Sequence, residues 1–128
     1  MAEINTHKKI DQHLCGRPLE VGPGRSRVLL QTIDSMAVDS KGLVHGGFIF
    51  GLADYAAMLA VNDPNVVLGR ADVKFLKPIQ VGQPVIAEAS VTEQKGIKNQ
   101  VIVSVKREAE EIFYGEFICF VLEKHVLS

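Results

Sequence analysis

Asp54 stands in the middle of an otherwise apolar stretch, nine residues after His45 opens the triplet His45-Gly46-Gly47. The stretch reads Val44-His45-Gly46-Gly47-Phe48-Ile49-Phe50-Gly51-Leu52-Ala53-Asp54-Tyr55-Ala56-Ala57-Met58-Leu59-Ala60-Val61. An ionised side chain among such residues is costly to bury unless something compensates it. Asp54 therefore reaches water at an edge or interface, pairs with a cation, or is held for chemistry. The glycines ahead of it suggest a partner for that chemistry. The first turn of a helix presents backbone N–H groups without intrahelical partners, in the positive field of the helix dipole. Glycine lets a ligand approach that backbone closely. A carbonyl oxygen gaining negative charge during acyl transfer would be stabilised there, by about 2.7–4 kcal/mol for one such donor in known oxyanion holes. The competing reading is a tight loop-to-helix turn that needs glycine for geometry alone.

The spacing adds a constraint. Asp54 lies eight positions after Gly46, roughly 12 Å along a helix axis at about 1.5 Å per residue. One carbonyl cannot touch both within one chain. A two-fold pairing of helices could place Asp54 of one subunit opposite Gly46 of the other, so a site using both is built between subunits.

The elements that must hold these residues are legible in outline. The segment from about Gly46 to Asn62 has no period of two and is rich in Ala, Leu and Met in its second half, which favours helix. It is apolar nearly all round, so it is expected to be buried on most sides. Asp63-Pro64-Asn65 stops it. Before it, residues 1–12 read as a loosely ordered lead-in or short helix, and Gly22-Pro23-Gly24 as a turn. Arg27 to Ile33 reads as a strand, and Ser35 to Gly42 as a loop. After the helix, strands are expected over Val66 to Leu76, Pro84 to Thr92, Asn99 to Arg107 and Ile112 to Glu123. In the second of these Val85, Ala87, Ala89 and Val91 alternate with polar residues, and in the third Val101, Val103 and Val105 do so. The last is apolar on both faces, which fits a central strand or a subunit interface. One strand, one long helix and four strands, joined largely as a meander, predict an α+β arrangement: an antiparallel sheet wrapped around a single central helix.

Composition bounds the rest. The 128 residues suit a single domain, with an apolar fraction of 47% and a charged fraction of 23%. A net charge of −1 gives no basic stripe for nucleic acid. The run Leu43 to Val61 contains His45, Asp54 and three glycines and lacks basic flanks, so a buried helix is expected rather than a membrane span. With no hydrophobic signal core at the N-terminus, a cytoplasmic protein is expected. Cys15 and Cys119 read as free thiols, and no Cys/His spacing suits zinc. Gly22-Pro23-Gly24-Arg25 is not a phosphate-binding glycine pattern, and His13 with Cys15 is too short a pairing to specify a dyad. Tyr55 and Met58 read as core or as the lining of a substrate tunnel.

The stretch from Asp39 to Asn62 resembles the hotdog-fold acyl-CoA thioesterases of the phenylacetate-pathway (PaaI-like) type. Gly42, His45-Gly46-Gly47 and Leu52-Ala53-Asp54 stand at that family's motif positions. Asp72-Val73-Lys74-Phe75-Leu76-Lys77-Pro78, followed by Val81-Gly82, resembles its strand ending in an aromatic-x-x-Pro and a glycine turn. The resemblance implies a hotdog fold and hydrolysis of a thioester of coenzyme A or acyl carrier protein, with coenzyme A as part of the substrate and no other cofactor. It makes Asp54 the general base or nucleophile and the Gly46 N–H the group that polarises the carbonyl across a homodimer, with a dimer of dimers as the larger alternative. It places His45 and Asp39 in the catalytic motif, and Gly47, Tyr55, Met58 and Leu68 toward the substrate. Lys74 and Lys77, with Arg70, either meet coenzyme A phosphates or are solvated strand-edge charges. Two positions depart from the pattern. Asp39 replaces an Asn, and an ionised Asp only accepts hydrogen bonds; beside Asp54 it would also raise the pKa of one of the two. Leu68 stands where some members carry a Ser or Thr. Leu68 to Val91 also resembles the acyl-CoA-sensing domain of the bacterial fatty-acid repressor, which has Asn in place of Asp54. A non-catalytic acyl-CoA-binding protein is therefore the alternative to an enzyme.

Overall fold

The computed structural model describes residues 1–128. A short helix α1 (Gln12–Cys15) precedes strands β1 (Arg17–Gly22) and β2 (Arg25–Gln31). A single 3-10 turn, Asp34–Met36, leads into the long helix α2 (Gly46–Val61). Four strands follow: β3 (Val66–Phe75), β4 (Pro84–Lys95), β5 (Lys98–Arg107) and β6 (Glu110–Val121). The six strands form one sheet in the order β1-β2-β4-β5-β6-β3, antiparallel at every step. The sheet curls around α2, which is the hotdog arrangement.

The alternation in β4 and β5 explains the wrapping. Val85, Ala87, Ala89, Val101, Val103 and Val105 are all 1% exposed or less and face the helix. From the helix, Leu52, Ala53, Ala56, Ala57 and Leu59 are fully buried against them. Small helix residues let the sheet come close, and the buried Ser26 hydroxyl on β2 donates to the Ala56 carbonyl at 2.6 Å. β6 lies between β5 and β3, so its two apolar faces belong to an interior strand. Phe113, Phe117 and Cys119 point to the helix, while Tyr114, Ile118 and Phe120 are half-buried on the outer face.

Three sequence expectations are corrected. The sheet has six strands rather than five, because Arg17–Gly22 is a strand paired to β2 through the Gly22-Pro23-Gly24 turn. Pro18, which has no N–H to give a ladder, is tolerated there because β1 is an edge strand. β2 spans Arg25–Gln31 rather than Arg27 to Ile33. Only β4, β5 and β6 form a meander; the chain leaving α2 crosses to the far edge, where β3 pairs with β6. The first residues lie against the body. The Ala2 N–H donates to the Val21 carbonyl at 2.8 Å. Asn62, in the left-handed conformation that ends α2, accepts from the Asn5 N–H and donates to the Glu3 carbonyl, both at 2.8 Å.

Candidate active site on the central helix

The sheet leaves one side of α2 incompletely covered. Phe50, Gly51, Asp54 and Val61 are half-buried along it and Gly47 is exposed, whereas the opposite side is sealed. Asp54 is the only acidic residue of the helix. Its Oδ1 is buried without a hydrogen-bond partner. The four ion pairs of the chain are Arg25–Glu20, Arg27–Glu88, Lys106–Glu88 and Arg107–Glu110, so no cation compensates Asp54. Burial pushes its carboxyl up to about 6 from an ordinary 3.8, because removal from water disfavours the charged form.

Two thiols from opposite ends of the chain lie near enough to this carboxylate to feel its charge. Cys119, on β6, is pushed up to about 12 by burial first and then by the charge of Asp54. Cys15, at the end of α1, is raised by burial, then by Asp11 and Asp54. Both are free cysteines. Thiols raised in this way are poor nucleophiles. No group of three His, Cys, Asp or Glu side chains gathers where a metal could be held.

At the head of α2, His45 is the N-cap. Its Nδ1 accepts from the Gly47 N–H at 2.7 Å, which places the ring proton of the neutral imidazole on Nε2. The Gly47 N–H is thereby used. A side chain at Gly47 would come within 2.8 Å of His45 Nδ1, so glycine there serves the turn. The Gly46 N–H makes no hydrogen bond within the chain. A Cβ at Gly46 would sit 3.1 Å from the Phe75 ring, and that ring meets Phe113 edge-on with centroids 5.1 Å apart. Gly46, Phe75 and Lys77 together line a cleft of about 350 Å³, closed by Val44, Ile49 and Ile79.

The remaining sequence-predicted residues separate into those near this helix face and those apart from it. Leu68 is half-buried on β3 in register with Cys119, and therefore on the Asp54 side of the sheet. Tyr55 and Met58 are 2% and 1% exposed and pack in the core, with Tyr55 beside the His7 ring. Lys74 is exposed on β3. Arg70 shares an outer-face depression with Asp72, Lys98 and Glu116. Asp39 is exposed, and its Oδ1 accepts from the Lys41 and Leu43 N–H groups at 3.0 and 3.2 Å. That turn needs only an acceptor, a role Asp fills as well as Asn. Within one chain Asp39 is not a source of the Asp54 shift, whose cause is burial. The nearness of Cys15 and Cys119 to Asp54 had no signal in the sequence. Phe75 did have one, as the aromatic ahead of Leu76-Lys77-Pro78.

Residues 41–112 match the model of the thioesterase superfamily, and the chain belongs to that superfamily. Among curated proteins it is 55% identical over 115 residues to methylthioribose-1-phosphate isomerase of Aquifex aeolicus, spanning 90% of this chain and 25% of that protein. It is 33% identical over 110 residues to the transcription factor FapR of Caldanaerobacter subterraneus, spanning 86% of this chain and 54% of that one. The chain thus covers a quarter of the first relative's length and about half of the second's. The crystal structure of PH1136 from Pyrococcus horikoshii is 55% identical with a TM-score of 0.98, covering 99% of this chain and 98% of that one. A mutant of the phenylacetic acid degradation protein PaaI from Thermus thermophilus is 26% identical with a TM-score of 0.79, covering 85% and 95%. No helix is long and apolar enough to cross a membrane.

Proposed function

We propose that the chain hydrolyses acyl thioesters of coenzyme A or of acyl carrier protein to the free acid and the thiol. The observation that carries this reading is the Asp54 carboxylate: its Oδ1 is buried and unpartnered on the one helix face the sheet leaves open. Its membership of the thioesterase superfamily supports the same reaction class. As a general base, Asp54 takes a proton from water while the water oxygen attacks the carbonyl carbon. As a nucleophile, its own oxygen attacks and water then cleaves the anhydride. In both cases the carbon–sulfur bond breaks and the thiolate, with a pKa of about 8.5, leaves without strong acid assistance. The free Gly46 N–H is the donor for the carbonyl oxygen. The roughly 12 Å along the helix axis between Gly46 and Asp54 supports a site to which the two contribute from different subunits of a homodimer.

The similarity to FapR over 86% of the chain supports a second reading, acyl-CoA binding without hydrolysis. A panel of acyl-CoA esters separates the two. Wild type is expected to release thiol, and Asp54→Asn to lose at least 10²-fold in kcat, the lower end of what a positioned base supplies. Wild type that binds acyl-CoA yet releases no thiol above background establishes the second reading instead. Asp54→Asn turning over at the wild-type rate removes Asp54 from the mechanism.

A further inference from the structure

Gly51 occupies the middle of α2, where glycine is a poorer helix former than alanine. It has no positive φ to justify it. A Cβ built on its backbone meets no atom within 4 Å. The other glycines of the body have visible reasons: a neighbour would lie 3.1 Å from a Cβ at Gly46, 2.8 Å at Gly47, 2.3 Å at Gly69 and 2.7 Å at Gly115. Nothing within the single chain needs Gly51 to be bare, so the space over it is left for a second subunit or for substrate.

The position of Gly51 indicates which. It precedes Asp54 by three residues, which makes the two neighbours on one helix face, with Cβ positions about 5–6 Å apart. Atoms lying over Gly51 are therefore within a few bonds of a carbonyl presented to Asp54. The surface beside it is apolar, with Phe50 half-buried one residue away. Lys77, exposed just past β3, lines the cleft beside Gly46 instead. An apolar acyl group suits the helix side, and the polar arm of coenzyme A suits the Lys77 side. Building on the thioesterase reading, the geometry points to Gly51 as a specificity-determining residue: the first carbons of the acyl group lie directly on the helix backbone there, giving room for acyl groups branched next to the carbonyl.

Thioether-linked analogues carried by coenzyme A or by acyl carrier protein test this, since binding is read without turnover. Affinities for a linear and an α-branched acyl analogue of equal carbon number are measured for wild type, Gly51→Ala and Gly51→Val, with the oligomeric state followed by light scattering. Gly51→Ala is expected to raise Tm by a few degrees, to keep the wild-type assembly, and to weaken the branched analogue by about tenfold relative to the linear one. Gly51→Val is expected to widen that ratio. Equal effects on both analogues, or none, overturn the assignment. So does dissociation or rearrangement of the assembly, which would show that the glycine serves close subunit packing. Wild type that binds neither analogue, whether carried by coenzyme A or by acyl carrier protein, overturns the thioesterase reading itself, and Gly51 with it.

Discussion

Asp54 is a residue whose burial works against the fold, and that cost has a definite pH dependence. Its carboxyl titrates at about 6 in the folded chain against an ordinary 3.8. As pH rises, the unfolded chain loses this proton first. Between about pH 4 and 6 the folded state holds a proton the unfolded state has released, so stability falls through that window and is level on either side. At 1.36 kcal/mol per unit the loss is about 3 kcal/mol. Asp54→Asn carries no such charge. It is expected to be more stable than wild type above pH 6, by up to about 3 kcal/mol, and equal to it below pH 4. Urea unfolding at pH 4 and pH 8 measures this, and a variant less stable than wild type at pH 8 contradicts it. In the proposed reaction the same proton governs activity, because general base and nucleophile alike require the carboxylate. The value of kcat/KM should rise tenfold per pH unit up to about 6 and then level off. A buried acid that weakens the fold at the pH where the proposed reaction needs it ionised supports reading Asp54 as kept for chemistry.

The elements around α2 show where sequence pattern carries information and where it does not. Asn62 ends the helix in the left-handed conformation and holds the lead-in by two side-chain hydrogen bonds. Asn62→Gly keeps the backbone conformation and loses both bonds, so it should cost about 1–2 kcal/mol. Asn62→Ala adds the penalty of a Cβ at positive φ and should cost about 1 kcal/mol more. Trypsin cleavage at Lys8 and Lys9 should accelerate in both; unchanged cleavage means that Asn62 does not hold the lead-in. The bounds of α2 and the inward faces of β4 and β5 were legible, because a buried helix and half-buried strands impose their periods on the sequence. β1 was not, since Arg17-Pro18-Leu19-Glu20-Val21-Gly22 offers only two apolar residues and a proline, as a short edge strand permits. The Asn62 clamp escaped for a different reason: it joins residues 57 and 59 positions apart through side chains, and no local pattern encodes that. The candidate site divides in the same way. Asp54 and Gly46 stood out by type and spacing, whereas Cys15 and Cys119 come near Asp54 only through the tertiary fold. Asp39 also shows the limit of motif position. Its carboxylate turns the loop before the helix, a local role that its place in the motif did not reveal.

At the scale of the whole molecule, the question is whether one chain makes one site. β3 ends the sheet with no strand on its outer side, and Phe75 at its end is 56% exposed; a two-fold partner here would bring its own helix toward this one. Complementation between two defective chains decides the matter. Asp54→Asn removes the carboxylate and keeps the Gly46 N–H. Gly46→Pro removes that N–H while suiting the first position of a helix, and the extended backbone of His45 before it, with φ −60 and ψ 130, accommodates a following proline. Its ring would press on Phe75, which is exposed enough to give way. Each variant alone is expected to be nearly inactive. In a refolded equimolar mixture, about half of the dimers pair one chain of each kind. If Asp54 of one subunit works with Gly46 of the other, every mixed dimer carries one site with both defects and one intact site. Activity should then return to about a quarter of the wild-type level. If both groups served one subunit's site, every site in the mixture would keep one defect and activity would stay at that of the separate variants. Recovery near a quarter therefore requires a site divided between subunits, and no recovery from two variants that both fold and dimerise excludes it.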